Sequence, residues 1–297
     1  MKLELTSITK RFGRVTAVDD ISLQVHAGDV FGFMGSNGAG KTTMIRMILN
    51  ILQPDSGVIC WKGQNVHLVD RSCFGYLPEE RGLYPKMPVM DQLLYLTQLH
   101  GNHRPKDAKK HIEQWLQRLD LVAHKRTPVE KLSKGNQQKV QFIAAVAHRP
   151  ELVILDEPFS GLDPVNVQVL QQSLSYLSEQ GTTLIFSSHR LEQVEHLCNR
   201  VALIHRARIA LQGSIQEAKQ WAGVKTVRLA TPNPLDFVES LPGASIQDRV
   251  GEMTELQIQK GLNPQDILRM ALQQGQVMHF EVCELSLEDV YLKVVGE

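Results

Sequence analysis

The chain has 297 residues, 42% of them apolar and 22% charged, with Lys+Arg and Asp+Glu matched at 32 each. That composition suits a globular protein of one large domain or two smaller ones. The charge balance gives no global argument for nucleic acid or an anionic membrane surface as a bulk partner, and no apolar run approaches the length of a membrane span.

In chain order, Met1-Lys2-Leu3-Glu4-Leu5-Thr6 alternates like a strand and lacks a signal-peptide core. Strands are predicted over residues 2–9 and 21–26, followed by a buried one at Val30-Phe31-Gly32-Phe33-Met34. Next comes Gly35-Ser36-Asn37-Gly38-Ala39-Gly40-Lys41-Thr42-Thr43, and then a helical pattern through Leu49. Residues 57–66 form a short strand pair around Gly63. Over 91–120 apolar residues recur at helical spacing, interrupted by the linker Gly101-Asn102-His103-Arg104-Pro105. A mostly helical insert thus sits inside an α/β chain. The α/β pattern resumes at Leu152-Val153-Ile154-Leu155, with a helix near 165–179, a strand at 182–187, a helix at 190–198 and a strand at 200–205. After Gly213, strands at 224–230, 244–250, 253–259 and 276–283 and helices at 234–240 and 264–273 give the order β-α-β-β-α-β, that of a small ferredoxin-like unit. Leu285–Leu292 reads as a closing helix.

Four widely separated cysteines (Cys60, Cys73, Cys198, Cys283) with no C-x-x-C read as reduced thiols of a cytosolic protein. The histidines other than His189 show no metal spacing. His100 and His103 flank a turn, and these histidines read as surface. Met44 and Met47 sit at helical spacing and read as core.

Residues 35–42 match G-x-x-x-x-G-K-[ST], the phosphate-gripping loop. Its glycines allow a tight curl whose N–H groups point inward, with no Cβ in the way of a phosphate. Lys41 can reach the β- and γ-phosphates, and the Thr42 hydroxyl can sit on Mg²⁺. The flanking strand and helix supply the context, because a helix N-terminus adds positive potential at the phosphates. Downstream, an apolar strand ends in Asp156-Glu157. Carboxylates at the C-terminal edge of a parallel sheet lie where α/β ligands bind. Asp156 is placed to hold Mg²⁺, and Glu157 to polarise a water for attack on a γ-phosphate.

Between these elements lies Leu132-Ser133-Lys134-Gly135-Asn136-Gln137-Gln138, leading into an apolar helix. Here the chain resembles the ATP-binding-cassette (ABC) ATPases over about residues 1–215. The segment is similar to their signature L-S-G-G-Q, with Lys134 for a glycine and Asn136 for the glutamine. Ser160-Gly161-Leu162-Asp163 is similar to the D-loop, His189 matches the switch histidine, and Phe12 matches the aromatic that stacks on adenine, with Val18 also assigned to the nucleotide. Two features depart from the pattern. Glu79 stands where a glutamine usually serves as a Mg²⁺ ligand, and Ser36 replaces a common proline. Glu79, Lys134, Asn136 and the extra C-terminal segment resemble a subset of ATPases in bacterial exporters of the ABC-2 type, sodium-efflux-like systems included. Ser286–Tyr291 is similar to the ending of that subset too.

The resemblance implies a P-loop cassette over residues 1–215, with a helical subdomain at about 86–148, and an α+β accessory domain over 216–297. It implies ATP and Mg²⁺ as cofactors, with ATP on residues 35–43, Mg²⁺ on Thr42, Asp156 and Glu79, and catalysis by Glu157 and His189. It further implies a head-to-tail homodimer, or a dimer with a related ATPase, in which Ser133, Lys134, Gly135 and Asn136 contact ATP on the partner subunit. Such a subunit is cytoplasmic, peripheral at the inner face of the membrane through a separate permease, and does not act on nucleic acid. A ribosome-acting ABC protein would carry two cassettes, and a DNA-maintenance ATPase would interrupt its cassette with coiled coils. This chain has one cassette and no sustained heptads.

Overall fold

In the N-terminal strand Leu3 and Leu5 face inward at a spacing of two, and an irregularity at Thr6-Ser7, where Ser7 has φ of 48°, brings Ile8 into the core as well. The structure is a computed structural model that describes every residue except Met1, Arg81, Asn102, His103, Arg104, Ala222, Ser240, Lys260 and Glu297. His103 and most of the expected 101–105 linker lie outside the described residues.

The chain divides into two compact units, Met1–Gln212 and Gly213–Glu297. In the first, β1 (Leu3–Phe12) pairs antiparallel with β2 (Val15–Val25). β3 (Val30–Met34) leads through the glycine loop into α1 (Lys41–Ile48). β4 (Ser56–Trp61) pairs antiparallel with β1 and with the short β5 (Gln64–Asn65), giving a sheet of order β2-β1-β4-β5. β6 (Phe74–Leu77) is followed by the helices α2 (Val89–Leu99), α3 (Pro105–Arg118) and α4 (Lys134–Val146). The α/β run then resumes with β7 (Leu152–Asp156), α5 (Pro164–Glu179), β8 (Thr183–Ser188), α6 (Leu191–Leu197), β9 (Arg200–His205) and β10 (Arg208–Ser214).

The second sheet has order β10-β9-β3-β8-β7-β6, and β9, β3, β8, β7 and β6 run parallel. β7 and β8 are buried along their whole length, and β3 from Phe31 onward, because a parallel strand is covered on both faces; their middles are apolar, and the polar Asp156, Ser187 and Ser188 come at the C-terminal ends. α1 is held between the two sheets. Its Met44, Ile45, Met47 and Ile48 join Leu3, Leu5 and Trp61 from one sheet and Phe31, Ile154 and Ile185 from the other in one core. Met44 and Met47 are therefore core residues, as their spacing indicates. This arrangement brings the C-terminal ends of β3, β7 and β8 to one edge, where the phosphate loop starts.

The second unit begins with α7 (Ile215–Trp221), then β11 (Val224–Ala230), α8 (Asp236–Glu239), β12 (Ala244–Val250), β13 (Met253–Gln259), α9 (Pro264–Gln274), β14 (His279–Cys283) and α10 (Leu287–Gly296). Its antiparallel sheet has order β12-β13-β11-β14. Val227, Leu229, Leu256 and Ile258 on one face pack with Ile267 and Ala271 of α9 and Val238 of α8. The order and the one-sided helical cover are those of a ferredoxin-like α+β unit.

The expectation of surface histidines fails at His148. It is only 2% exposed, its Nε2 lies 3.0 Å from the Phe74 carbonyl oxygen, and its ring stacks on His100 at 4.1 Å. The backbone carbonyl that meets Nε2 and the ring face of His100 are what favour this imidazole in the interior. Cys60, Cys73, Cys198 and Cys283 are free thiols. Among the described residues no helix is long and apolar enough to cross a membrane.

Candidate nucleotide site

The loop between β3 and α1 takes its shape from glycine. Gly35, Gly38 and Gly40 have φ of 152°, 79° and 111°. A Cβ on Gly35 would collide with the Ile204 carbonyl oxygen, and one on Gly40 with that of Ala17. At Gly38 there is open space, so only the backbone angle asks for glycine there. Ser36, Asn37 and Gly38 are exposed at the crest, while Ala39, Gly40 and Lys41 are buried at the base and Thr42 and Thr43 open the helix at intermediate exposure. Val18 is fully buried under Gly40; it floors the loop and offers no surface of its own to a ligand.

Lys41 is 7% exposed. Its ammonium donates to the carbonyl oxygens of Gly35 at 2.7 Å and Ser36 at 3.1 Å. Burial lowers its pKa, and the carboxylates of Glu157, Asp156 and Glu79 oppose that shift. One buried cation thus stands amid three acids, an arrangement suited to a polyanion that arrives with its own cation.

Asp156 is 2% exposed at the end of β7. Its Oδ2 accepts from Thr42 Oγ1 at 3.3 Å, and its Oδ1 accepts from Ser187 Oγ of β8. The neighbouring strands thereby fix the carboxylate against the helix that follows the loop. A hydroxyl and one carboxylate form the donor set of a hard cation that keeps waters and takes phosphate oxygens as further ligands. Among the described residues no group of three or more His, Cys, Asp or Glu side chains converges to hold a metal on its own, so Glu79 does not complete an all-protein site with Asp156 and Glu157.

Glu157 has φ of 49°, rare for a non-glycine residue, and its N–H donates to the Ser187 carbonyl oxygen at 3.1 Å. Such strain, costing on the order of 1–2 kcal/mol, turns its side chain toward His189. The His189 backbone N–H donates to Glu157 Oε1 at 3.0 Å, and its Nδ1 lies 2.9 Å from the same oxygen.

Phe12 closes β1 half-exposed, with Lys10 Nζ 5.8 Å from its ring centre. Glu79 is exposed just beyond β6. Its loop is tied to α4 by Gln141, whose Nε2 donates to the carbonyl oxygens of Pro78 and Glu80 at 3.1 and 3.2 Å.

The four residues 133–136 gather elsewhere. Ser133 is the N-cap of α4, its hydroxyl accepting from Asn136 N–H at 3.2 Å. Ser133 and Lys134 are exposed, Asn136 is half-buried, and Gly135 is buried where a Cβ would meet Asn166 Nδ2 at 2.9 Å. Asp163 caps α5, accepting from Asn166 N–H at 3.0 Å and from Asn166 Nδ2, which holds its carboxyl below the usual range. Asn166 thus packs the expected D-loop against the expected signature. Gln138 Nε2 donates to the Pro158 carbonyl oxygen at 3.1 Å and ties α4 to the segment after Glu157. Among the described residues no hydrogen bond joins residues 133–136 to the loop at 35–43. The structure therefore forms two groups: the loop with Asp156, Glu157 and His189, and the α4 terminus with Asp163. Sequence patterning missed Ser187, Asn166, Gln138 and Gln141. Ser187-Ser188 beside His189 at a strand end was the available signal for the first; the two glutamines carried none.

Residues 18–160 match the family described as ABC transporter, and residues 213–295 match the C-terminal domain of DrrA1-3-like ATP-binding proteins. The chain is 44% identical over 294 residues to an uncharacterized ABC transporter ATP-binding protein, YhaQ, of Bacillus subtilis, covering 99% of this chain and 98% of the relative. It is 28% identical over 306 residues to the linearmycin resistance ATP-binding protein LnrL of the same species, covering 99% and 98%. Among solved structures, one described as the ATP binding subunit of an ABC transporter superposes with a TM-score of 0.70 at 26% identity, covering 75% of this chain and 94% of that one. The chain belongs to the ABC transporter ATP-binding proteins, and it is an ATP-binding, ATP-hydrolysing subunit of such a transporter.

Proposed function

We propose that the chain drives a separate membrane permease as a head-to-tail dimer, with ATP shared between the phosphate loop of one subunit and Ser133–Asn136 of the other. The observation that carries this reading is the separation of the two groups described above. Each is built and presented, the second as an exposed, capped helix N-terminus suited to an anion. Among the described residues no hydrogen bond of the single chain joins residues 133–136 to residues 35–43. ATP then acts as glue, since its charge is met by both chains only on closure.

In this reading Lys41 and the amides of residues 35–43 hold the phosphates, and Phe12 packs on the adenine. Thr42, Asp156 and Glu79 would hold Mg²⁺, which would supply charge neutralisation of the phosphates. Glu157 accepts a proton from the attacking water, and His189 holds the Glu157 carboxylate in place. The direction is export, supported by the resistance function named for LnrL. The permease is received by a groove of about 290 Å³ beside Glu79, whose lining includes Ile51, Tyr76, Leu83 and Leu96. A subunit so docked sits at the membrane without spanning it. The unit from Gly213 onward serves as an accessory domain.

Complementation tests the shared site. Lys41→Ala and Ser133→Arg each abolish turnover alone, the second with nucleotide binding intact. Mixed, they recover turnover, because the mixed dimer keeps one site with an intact loop facing an intact signature. Failure of the mixture to recover, with both variants folded, would rule out the head-to-tail arrangement.

A further inference from the structure

We infer that the second unit carries its own small-molecule site, a crevice of about 400 Å³ at one end of its sheet that takes an amphipathic zwitterion. Three connecting segments leave the sheet at that end. The α7–β11 junction brings Lys219, Gly223 and Lys225; the β13–α9 junction brings Gln259, Gly261, Leu262 and Asn263; the β14–α10 junction brings Glu284 and Leu285. The strand pairing makes them neighbours, since Val224 pairs with Gln259 and Thr226 with Cys283.

The volume lies in the range of cavities that hold small organic ligands. Among the described residues its lining mixes the apolar side chains of Leu262 and Leu285 with two ammonium groups and one carboxylate. Neither Lys225 nor Glu284 is engaged in an ion pair among the described residues, so both charges are available at the rim. Gly223 and Gly261 have φ of 66° and 112°, and a Cβ on either would meet no atom within 4 Å. The backbone angle asks for glycine at both positions, and the space beside their bare backbone is free of packed neighbours. Lys219 and Lys225 suit an anionic group, Glu284 an ammonium or other donor, and the leucines an apolar body between them. None of these residues belongs to the nucleotide machinery.

The test uses the full chain and Nε-dansyl-lysine, which carries a carboxylate, an ammonium and an apolar fluorescent ring. The expected result is a saturable rise in fluorescence at one probe per chain, undisturbed by excess ATP. Dansylcadaverine, which lacks the carboxylate, should bind at least about tenfold more weakly. Lys225→Glu, an exposed substitution, and Leu262→Asp should each weaken the probe by at least about tenfold, with the folding of the second unit checked by circular dichroism and thermal unfolding of each variant, since Leu262 also packs against that unit's core. No saturable binding below about 1 mM, or equal binding by wild type and Lys225→Glu, overturns the proposal.

Discussion

His189 gives Glu157 Oε1 both its backbone N–H and, 2.9 Å away, its Nδ1. A carboxylate oxygen accepts, so the hydrogen of this ring contact sits on Nδ1. Imidazole and main chain together hold one oxygen of a carboxylate whose backbone is already in the left-handed region. The second oxygen is then the one available to a water.

His189→Ala removes the ring contact and leaves the backbone one. Turnover should fall by about tenfold to a hundredfold, with ATP affinity within about twofold of wild type, since no phosphate contact is lost. Steady-state hydrolysis and a nucleotide titration check both. A variant that loses ATP binding in proportion to turnover would place His189 in nucleotide binding instead.

Two loop glycines should differ in their tolerance of alanine. Gly40→Ala places a Cβ against the Ala17 carbonyl oxygen at a φ of 111°, and should cost at least ~2 kcal/mol and abolish nucleotide binding. Gly38→Ala meets open space at a φ of 79° and should cost only about 1 kcal/mol of backbone strain. Thermal unfolding with and without ATP separates the two; equal losses would refute the steric argument.

Burial, followed by the charge of Asp156, pushes the Tyr76 phenol up from 10.0 to about 12. Between these values the folded chain keeps a proton that the unfolded chain releases. The associated stability is present below about pH 10 and declines as pH rises toward 12. Ultraviolet difference titration should show a tyrosinate step near 12 that Tyr76→Phe removes. Survival of that step in the variant would assign it to another tyrosine.

A chain ending at Gln212 keeps Phe12, the phosphate loop, Asp156, Glu157 and His189, and the second unit has its own core. The shortened chain should bind ATP with wild-type affinity by titration. A folded truncation that no longer binds ATP would show that the second unit helps build the site.

What was legible in the sequence follows the strength of the local constraint. The phosphate loop, the acid-ended strand and the β-α-β-β-α-β unit could be read because glycine spacing and the two periodicities are set by backbone geometry alone. β2 was legible only over its second half. It begins at Val15, where Val15, Thr16 and Ala17 are partly or wholly exposed and Asp19-Asp20 interrupts the alternation. β6, four residues containing a glycine, and α7, a seven-residue helix, are too short for a period to emerge. β10 was missed although Ile209 and Leu211 alternate weakly with exposed neighbours. Ser187 on Asp156 and Gln141 on the Glu79 loop are contacts across 31 residues and about twice that separation. Only the strand order and the seating of α4 create them.

The most direct measurement is ATP turnover by Glu157→Gln, read together with its oligomeric state. The change keeps the shape of the side chain and removes its capacity to accept a proton. Turnover should fall by at least about a hundredfold while ATP still binds, and the variant should run as a dimer in ATP and Mg²⁺. Turnover near wild type in a folded Glu157→Gln chain would contradict the account.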